Sequence, residues 1–513
     1  MEMQKKHETG SVMGFLSGLQ AKSGVSVRGL MLGVVMLSVF IAFMATIQFS
    51  TPNMPDNDGL YHIKLAYLMR TESLKPAFPW LPLTILNARE FYDHHFLFHV
   101  ALIPFTFGDL VQGAKWASVI FAALAYLAIW RLLESQKIPL APLWAVGVLG
   151  VSEAFLYRMS ITRAQSLSLA VLALSLNWLL AGKHKRMAAL GFVYVWLYNA
   201  FPLLPAVAAV YTLAVWIGER RLDLRPFVYT SLGVAAGLII NPYFPANIVF
   251  AYQHFVPKLF ETTAVSVGNE WYPYTTAQLL NNSPTALLAF LSGGLALGLS
   301  SRRADARTIA AFLLAVLFGF MLFQSRRFVE YFPPFALLFA AFAWAPVIQA
   351  ALAEKKWFRR ELPALILAVA LIPALWVSHQ GAQDSIQTSK PVGLYSEASR
   401  WLQTNTPAGS RVFQTDWDDF PRLFFYNTHN TYLIGLDPTY LQLYDTALYD
   451  EWVQISDGDV AAPSRRIGGI FGSEYVLTDL KHKAFIQEAE KDPGLQEVFR
   501  DDEAIVYKVV IKQ

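Results

Sequence analysis

Long apolar runs, each close to the length that crosses a membrane, alternate along this chain with short polar connections. A helix needs about 20 apolar residues to cross the hydrocarbon core of a bilayer. The windows that approach this length predict about eleven spans, at residues 30–49, 114–133, 140–155, 165–181, 187–200, 202–217, 226–242, 284–299, 308–323, 328–348 and 362–377. The pattern therefore predicts an α-helical polytopic membrane protein.

The distribution of Lys and Arg predicts how these spans are oriented, because short cytoplasmic loops carry an excess of positive residues. One more apolar segment, residues 95–107, is short for a span and is interpreted as a helix at the outer surface. With that interpretation the basic loops all lie on one side of the membrane, at residues 131–137, 183–186, 220–225, 302–307 and 355–360. The N-terminus is then cytoplasmic and the C-terminus lies outside.

Composition agrees with this assignment and excludes several classes of function. Hydrophobic residues make up 55% of the 513 residues and charged residues 15%, with a mean hydropathy of +0.36, which is too apolar for an ordinary soluble protein. A net charge of +3 without a long basic run predicts no nucleic-acid partner. The chain has no Cys, so it has no disulfide, thiolate chemistry or Cys-bound metal.

The polar and apolar regions also predict the domain boundaries. Residues 1–29 are polar and lack a cleavage site, which predicts a cytoplasmic tail ahead of a transmembrane domain at 30–380 with outer loops at 50–112 and 243–283. Residues 385–513 are charged, and short apolar runs bounded by turn residues predict strands at 410–415, 430–435, 473–479 and 504–511, with helices at 397–405 and 482–492. This last segment is predicted to be an extracytoplasmic α/β domain.

The first outer loop concentrates side chains that bind cations or exchange protons. It contains Asp56, Asp58, His62, Asp93, His94, His95 and His99. Carboxylates and imidazoles bind divalent ions or act as bases, although a hydrated loop with no chemical role is the alternative. Apolar residues at helical spacing after Asp58 predict an amphipathic helix on the membrane surface. Helix capping is therefore a second explanation for the two acids at its start.

Four arginines lie at outer ends of spans, where positive charge is not favoured: Arg158, Arg163, Arg326 and Arg327. Guanidiniums at such positions either extend to lipid phosphates or bind an anionic group at the outer face. The outer segment 241–283 adds two acids, Glu261 and Glu270. Aromatic residues surround Glu270, and an interfacial aromatic belt accounts for the rings but not for the carboxylate.

Taken together, these motifs resemble the GT-C integral-membrane glycosyltransferases, most closely the catalytic subunit of oligosaccharyltransferases. DNDGLYH, with Asp56 and Asp58, stands where that family has an acidic motif in its first outer loop, and SVGNE places Glu270 at a second motif. SRRFVEYFPP offers Arg326 and Arg327 as the arginine that contacts lipid phosphate.

WLQTNTPAGSRVFQTDWDDFP, with Trp417 and Asp418, resembles the motif that recognises the acceptor in that family. DHHFLFH is also similar to a pattern in the relatives that transfer mannose or aminoarabinose to protein or lipid hydroxyls. The resemblance covers the layout of most of the chain through short motifs.

The resemblance implies transfer of a sugar or oligosaccharide from a polyprenyl-phosphate or polyprenyl-diphosphate donor to an acceptor at the outer face of the plasma (inner) membrane. Asp58, or Asp56 in its place, would be the catalytic carboxylate. Arg326, Arg327 and Arg163 would bind the donor phosphate. A divalent cation, Mg²⁺ or Mn²⁺, would be bound by Asp58 and Glu270, and Trp417 and Asp418 would contact the acceptor.

Two departures from the family pattern leave parts of this interpretation open. The second acidic motif is missing, since Arg163 and Gln165 stand there, so a cation site would be either incomplete or built differently, with Asp93 or His94. Phe420 and the following proline replace the Tyr-Gly of the acceptor motif, so the sequence leaves open whether the acceptor is a protein, a lipid or a glycan. The alternative functions are a transporter or flippase of lipid-linked saccharides and a polysaccharide polymerase or ligase of another class.

Overall fold

The computed structural model describes residues 27–260, 268–300, 303–354 and 357–510. Its first part is helical. The helices are α1 Val27–Gln48, α2 Asp58–Thr71, α3 Phe96–Leu102, α4 Leu110–Ser135, α5 Ala141–Gly147, α6 Glu153–Ser160, α7 Gln165–Leu180, α8 Arg186–Leu197, α9 Leu203–Glu219, α10 Arg225–Ile239, α11 Ala246–Phe260, α12 Thr276–Asn282, α13 Pro284–Leu299, α14 Ala306–Leu322, α15 Phe332–Leu352 and α16 Trp357–Gln387. Most of the predicted tail and Glu261 lie outside the described residues.

The helices support a multi-pass membrane protein. Four of them in the described ranges, α1, α4, α15 and α16, are long and apolar enough to cross a bilayer. Two bent pairs raise this number to six if each pair is one span: α6 and α7 meet at 111°, and α12 and α13 at 96°. Other apolar helices are shorter, so the count of eleven spans stays a prediction. The segment at 95–107 forms only α3 and a following 3-10 turn.

Close packing of two of these helices depends on glycine. Gly233 and Gly237 on α10 face α8, and a Cβ atom built on Gly233 would lie 2.0 Å from the carbonyl oxygen of Ala188. Such a small-xxx-small spacing lets two helix backbones approach closely. In a bilayer the hydrophobic effect does not drive helices together, so this close packing stabilises the helix pair instead. The start of the loop after α1 is held by α4, because the buried Lys115 of α4 donates to the carbonyl oxygens of Thr51 and Asn53.

Helix α2 lies between two hydrophobic cores and not on a surface. Leu60 and Ile63 pack into the core of the long apolar helices. Tyr61 and Leu65 pack into a second core that includes Phe424 and other residues of the C-terminal part. The periodicity predicted the helix correctly, but a sequence cannot show that its second face is also covered.

The C-terminal part is a small sheet flanked by short helices. Its elements are α17 Ser396–Asn405, β1 Arg411–Gln414, α18 Phe420–Tyr426, β2 Thr431–Tyr432, α19 Thr439–Tyr444, α20 Thr446–Ser456, α21 Ser464–Gly469, β3 Tyr475–Asp479, α22 Lys483–Lys491, β4 Leu495–Arg500 and β5 Ala504–Val509. The strand order is β2-β1-β3-β5-β4. β1 is parallel to β2 and β3, while β5 is antiparallel to β3 and β4.

Candidate active site

A polar cavity of about 520 Å³ lies where the loops of the membrane helices meet the C-terminal part. The start of α2, the turn between α6 and α7, and the loops at 268–271 and 416–418 all contribute to its wall. It brings together most of the residues that the sequence indicated: Asp56, Asp58, His94, Arg163, Glu270, Arg327, Trp417 and Asp418. Arg326 and Asp93 do not line it.

Arg163 binds the acids of both sequence motifs. Its Nη2 lies 2.5 Å from Oδ2 of Asp58 and 3.1 Å from Oδ1 of Asp56. Its Nη1 donates to Oε2 of Glu270 at 2.8 Å. The guanidinium therefore joins the first loop to the loop at 268–271 and neutralises part of the negative charge of the three carboxylates.

Glu270 is in turn held by two further arginines. Arg158 Nη1 donates to its Oε2 at 2.7 Å, and Arg327 Nη2 lies 3.1 Å from its Oε1. Burial opposes ionisation of Glu270, but Arg327, Arg163 and Arg158 hold the pKa of this carboxyl well below its usual range. Glu270 is thus a fixed negative charge that orients three guanidiniums.

The turn between α6 and α7 explains why two arginines of one segment face the same cavity. Ser152 caps α6 by accepting from the N–H of Phe155, and the chain then bends by 111° before α7. Arg158 lies before the bend and Arg163 within it. Arg158 is anchored from behind by the fully buried Glu330, whose Oε1 accepts from Nε at 2.9 Å. Sequence reasoning missed Glu330, although its position after SRRFV was a signal of a buried ion pair.

Asp56 and Asp58 open helix α2 in different roles. Oδ1 of Asp56 accepts from the N–H of Asp58 at 2.8 Å, which closes the turn into the helix. Asp58 is the first residue of α2 and turns its carboxylate to Arg163. Burial, opposed by the Arg163 guanidinium, raises the pKa of Asp58 to about 7. The turn before α2 therefore accounts for Asp56 but not for the second carboxylate.

Asn57, which the sequence did not indicate, ties the acceptor motif to the first loop. Its Nδ2 donates to Oδ2 of Asp418 at 2.8 Å, and its Oδ1 accepts from Nε of Arg422 at 2.8 Å. Arg422 is 1% exposed and also donates to the carbonyl oxygen of Pro391 at 2.6 Å. Asp418 is thereby held at the cavity, which Trp417 also lines.

The two neighbouring arginines at 326 and 327 face different surroundings. Arg327 lines the cavity and lies 4.8 Å from the ring centroid of Trp271. Arg326 is placed over the ring of Tyr272, whose carbonyl oxygen accepts its backbone N–H at 2.8 Å. Of the two, only Arg327 is positioned to bind a group inside the cavity.

The residues suggested as metal ligands do not share one centre. Asp93 binds His99, and the ring of His94 stacks on Phe250. Carboxylate oxygens of Asp58 and Glu270 suit a hard divalent cation, but both bind Arg163. In the part of the chain that the structure describes, no group of three or more His, Asp or Glu is arranged to hold a metal ion. The arrangement therefore does not fit a cation unless the guanidinium is displaced.

No family model and no curated protein matches the sequence. Among solved structures, the chain is similar to the archaeal oligosaccharyltransferase AglB from Archaeoglobus fulgidus, in complex with an inhibitory peptide and a dolichol-phosphate. The TM-score is 0.63 at 14% identity, over 94% of this chain and 75% of that one.

Two further solved structures are similar over nearly the whole chain. ArnT from Cupriavidus metallidurans, bound to undecaprenyl phosphate, gives a TM-score of 0.55 at 14% identity, over 95% of this chain and 100% of that one. The arabinofuranosyltransferase AftD from Mycobacteria gives 0.59 at 16% identity, over 95% of this chain and 42% of that one. All three are GT-C glycosyltransferases. This chain therefore shares the fold of the GT-C membrane glycosyltransferases, in the oligosaccharyltransferase-like layout that its motifs predicted.

Proposed function

We propose that the protein transfers a sugar or oligosaccharide from a polyprenyl-phosphate or polyprenyl-diphosphate donor to an acceptor at the outer face of the plasma membrane, with its N-terminus in the cytoplasm. The single observation that carries the proposal is the cavity in which Arg163, Arg327 and Asp58 meet on a GT-C fold. Similar structures hold dolichol-phosphate and undecaprenyl phosphate, which supports a lipid phosphate as the donor group.

Arg327 is the residue that we assign to the donor phosphate. Its ion pair with Glu270 engages Nη2 alone, so the guanidinium keeps donors for phosphate oxygens. During transfer the bond between the anomeric carbon and the phosphate oxygen breaks, and its electron pair stays on that oxygen. Arginines that are fixed in advance stabilise this developing charge without reorganisation. Arg163 adds positive charge to the same wall, whereas the position of Arg326 does not support the role that the sequence suggested.

The acidic residues of the cavity suit the acceptor. The cavity lining contains six carboxylates and three guanidiniums: Asp56, Asp58, Glu270, Asp416, Asp418 and Asp437 against Arg158, Arg163 and Arg327. Asp416 and Asp418 come from the C-terminal part and flank Trp417 in the cavity lining. We assign Trp417 and Asp418 to acceptor contact, and Asp58 to the carboxylate that accepts a hydrogen bond from the acceptor and orients it for attack.

The proposal assigns no step to a divalent cation. The likeness to oligosaccharyltransferases is compatible with one, but the positive charge between Asp58 and Glu270 is supplied by Arg163. We therefore expect transfer by the wild-type protein to continue in EDTA.

The test measures transfer by the purified protein in proteoliposomes that contain polyprenyl-phosphate and polyprenyl-diphosphate sugars, with and without EDTA. Product formation from either donor supports the proposed function, and the preferred donor identifies the leaving group. Asp502→Asn, a change of an exposed acid remote from the cavity lining, is the control and should transfer at the wild-type rate. Loss of transfer in EDTA with recovery on addition of Mn²⁺ would contradict the role given to Arg163.

A further inference from the structure

Three buried side chains form a hydrogen-bonded row that ends at the cavity. Asp93, His99 and His62 are 3%, 0% and 4% exposed. Nδ1 of His99 lies 2.9 and 2.8 Å from the two carboxylate oxygens of Asp93, and Nε2 of His99 lies 2.7 Å from Nδ1 of His62. His62 lines the cavity, whereas His99 and Asp93 do not. The mechanism above uses none of the three.

The row fixes the tautomer of each imidazole. Asp93 accepts only, so Nδ1 of a neutral His99 carries a proton and its Nε2 is a lone pair. That lone pair accepts from Nδ1–H of His62, which leaves Nε2 of His62 without a proton. In the described part of the chain, no hydrogen bond to this Nε2 is seen. The row therefore presents an unprotonated nitrogen on the residue that lines the cavity.

The surroundings keep this imidazole uncharged. Rings of Tyr61, Phe98 and His95 pack tilted or edge-on against His62, and the charged or titratable groups around it also include His99, Arg163 and His94. Burial, followed by electrostatic interactions that include the Arg163 guanidinium, holds the pKa of His62 well below its usual range. The imidazole is thus neutral at pH 7, as a base must be before it accepts a proton.

His62 is also placed beside the carboxylate that orients the acceptor. Asp58 and His62 are four residues apart on α2, so they share one face of the helix. Both line the cavity. His62 therefore lies on the same side of the helix as an acceptor that is bound by Asp58, and can remove a proton from it.

We propose that His62 is the base of the transfer reaction, with His99 and Asp93 as positioning residues that act through it; this rests on the proposed function. Nε2 of His62 takes the proton from the acceptor O–H or N–H while the acceptor atom bonds to the anomeric carbon. The bond from that carbon to the phosphate oxygen breaks, and the phosphate keeps the electron pair. The imidazolium formed is stabilised by the carboxylate of Asp93 through His99, as in a triad.

Asp93→Asn tests the row without changing its size. An amide can donate to Nδ1 of His99, so His99 and then His62 adopt the other tautomer, which places a proton on the Nε2 that should accept one. We expect kcat for transfer to fall by about 10²–10⁴-fold, with the KM for the lipid-linked donor unchanged. His62→Gln should lower kcat by a similar factor, and the double variant should lose no more than either single variant.

The controls separate this proposal from the proposed function. His184→Gln, a change outside the cavity lining, is the control and should transfer at the wild-type rate. Rates are compared only among variants whose thermal unfolding midpoint is that of the wild type. Addition of imidazole to a His62→Gly protein should restore transfer. A wild-type kcat in Asp93→Asn, or losses that add in the double variant, would overturn the assignment of His62 as the base. The proposed function would still stand in that case, provided that the wild-type protein transfers the sugar. Absence of transfer by the wild-type protein itself would overturn the proposed function.

Discussion

Asp58→Asn protein is expected to fold normally and to lose at least about 10²-fold in kcat/KM for transfer, because a misplaced acceptor costs that much even when all other groups are present. The substitution keeps the size of the side chain. It removes the charge that pairs with Arg163 at 2.5 Å and halves the oxygens that can accept from the acceptor. Arg163 keeps Asp56 and Glu270 as partners, so the local structure should hold.

The pH dependence of transfer provides a second measurement on the same residue. The pKa of Asp58 is raised to about 7, so its working, ionised form increases as the pH rises through 7. We expect the wild-type transfer rate to rise over this pH range, and we expect the Asp58→Asn protein to show no such increase. The pKa of His62 is shifted downward, so the increase in transfer rate that accompanies deprotonation of His62 should occur at lower pH.

Asp56→Asn is the matched comparison for Asp58→Asn. Asp56 closes the turn into α2 through its Oδ1, and an amide oxygen can accept the same N–H of Asp58. We therefore expect a smaller loss of transfer than in Asp58→Asn. A normal transfer rate in Asp58→Asn, or a larger loss in Asp56→Asn, would move the catalytic assignment to Asp56 or away from this loop.

The elements that could be predicted are those whose signal is local. Apolar windows predicted the membrane helices, and runs such as RVFQ and YVLTD predicted β1 and β3 at their observed positions. β4, with the sequence LQEVFR, was missed because it is an edge strand that is largely exposed and mostly polar. The 111° bend after α6 was also missed, and the contacts that Arg158 makes beside it, with Glu330 and Glu270, are distant in sequence.

The candidate site divides in the same way. Asp58 and Arg327 could be indicated from the sequence because an acid motif and a misplaced arginine are visible without any contact. The pairing of Arg163 with Asp58 spans more than a hundred residues and has no local signal. The hydrogen bond between Asn57 and Arg422 likewise joins residues that are far apart in the sequence, so it has no local signal either. Asp93 was assigned to a metal, since a lone sequence cannot show that His99 already binds it.

Arg163→Met is expected to abolish measurable transfer and to lower stability. Arg163 is 15% exposed and holds three carboxylates, so its removal leaves Asp56 and Asp58 next to each other without their ion-pair partner, while Glu270 keeps Arg158 and Arg327. Breaking a buried ion pair by removing one partner costs about 3–5 kcal/mol. Arg163→Lys keeps the charge but loses the two-sided geometry of the guanidinium, so it should recover stability more fully than transfer. Thermal unfolding and transfer assays on the same preparations measure both effects.

Arg163→Asp takes this argument one step further. The change places a fourth carboxylate next to Asp56, Asp58 and Glu270, and a set of carboxylate oxygens without a guanidinium is the ligand type that hard divalent cations prefer. We expect the unfolding midpoint of Arg163→Asp to rise with Mn²⁺ or Mg²⁺, as it must for a ligand that binds the folded state. The wild-type midpoint should not respond in this way, and the Arg163→Met midpoint should respond less than that of Arg163→Asp, because this variant has one carboxylate fewer. A wild-type midpoint that rises with Mn²⁺ as strongly as that of Arg163→Asp would mean that the guanidinium yields its place to the metal.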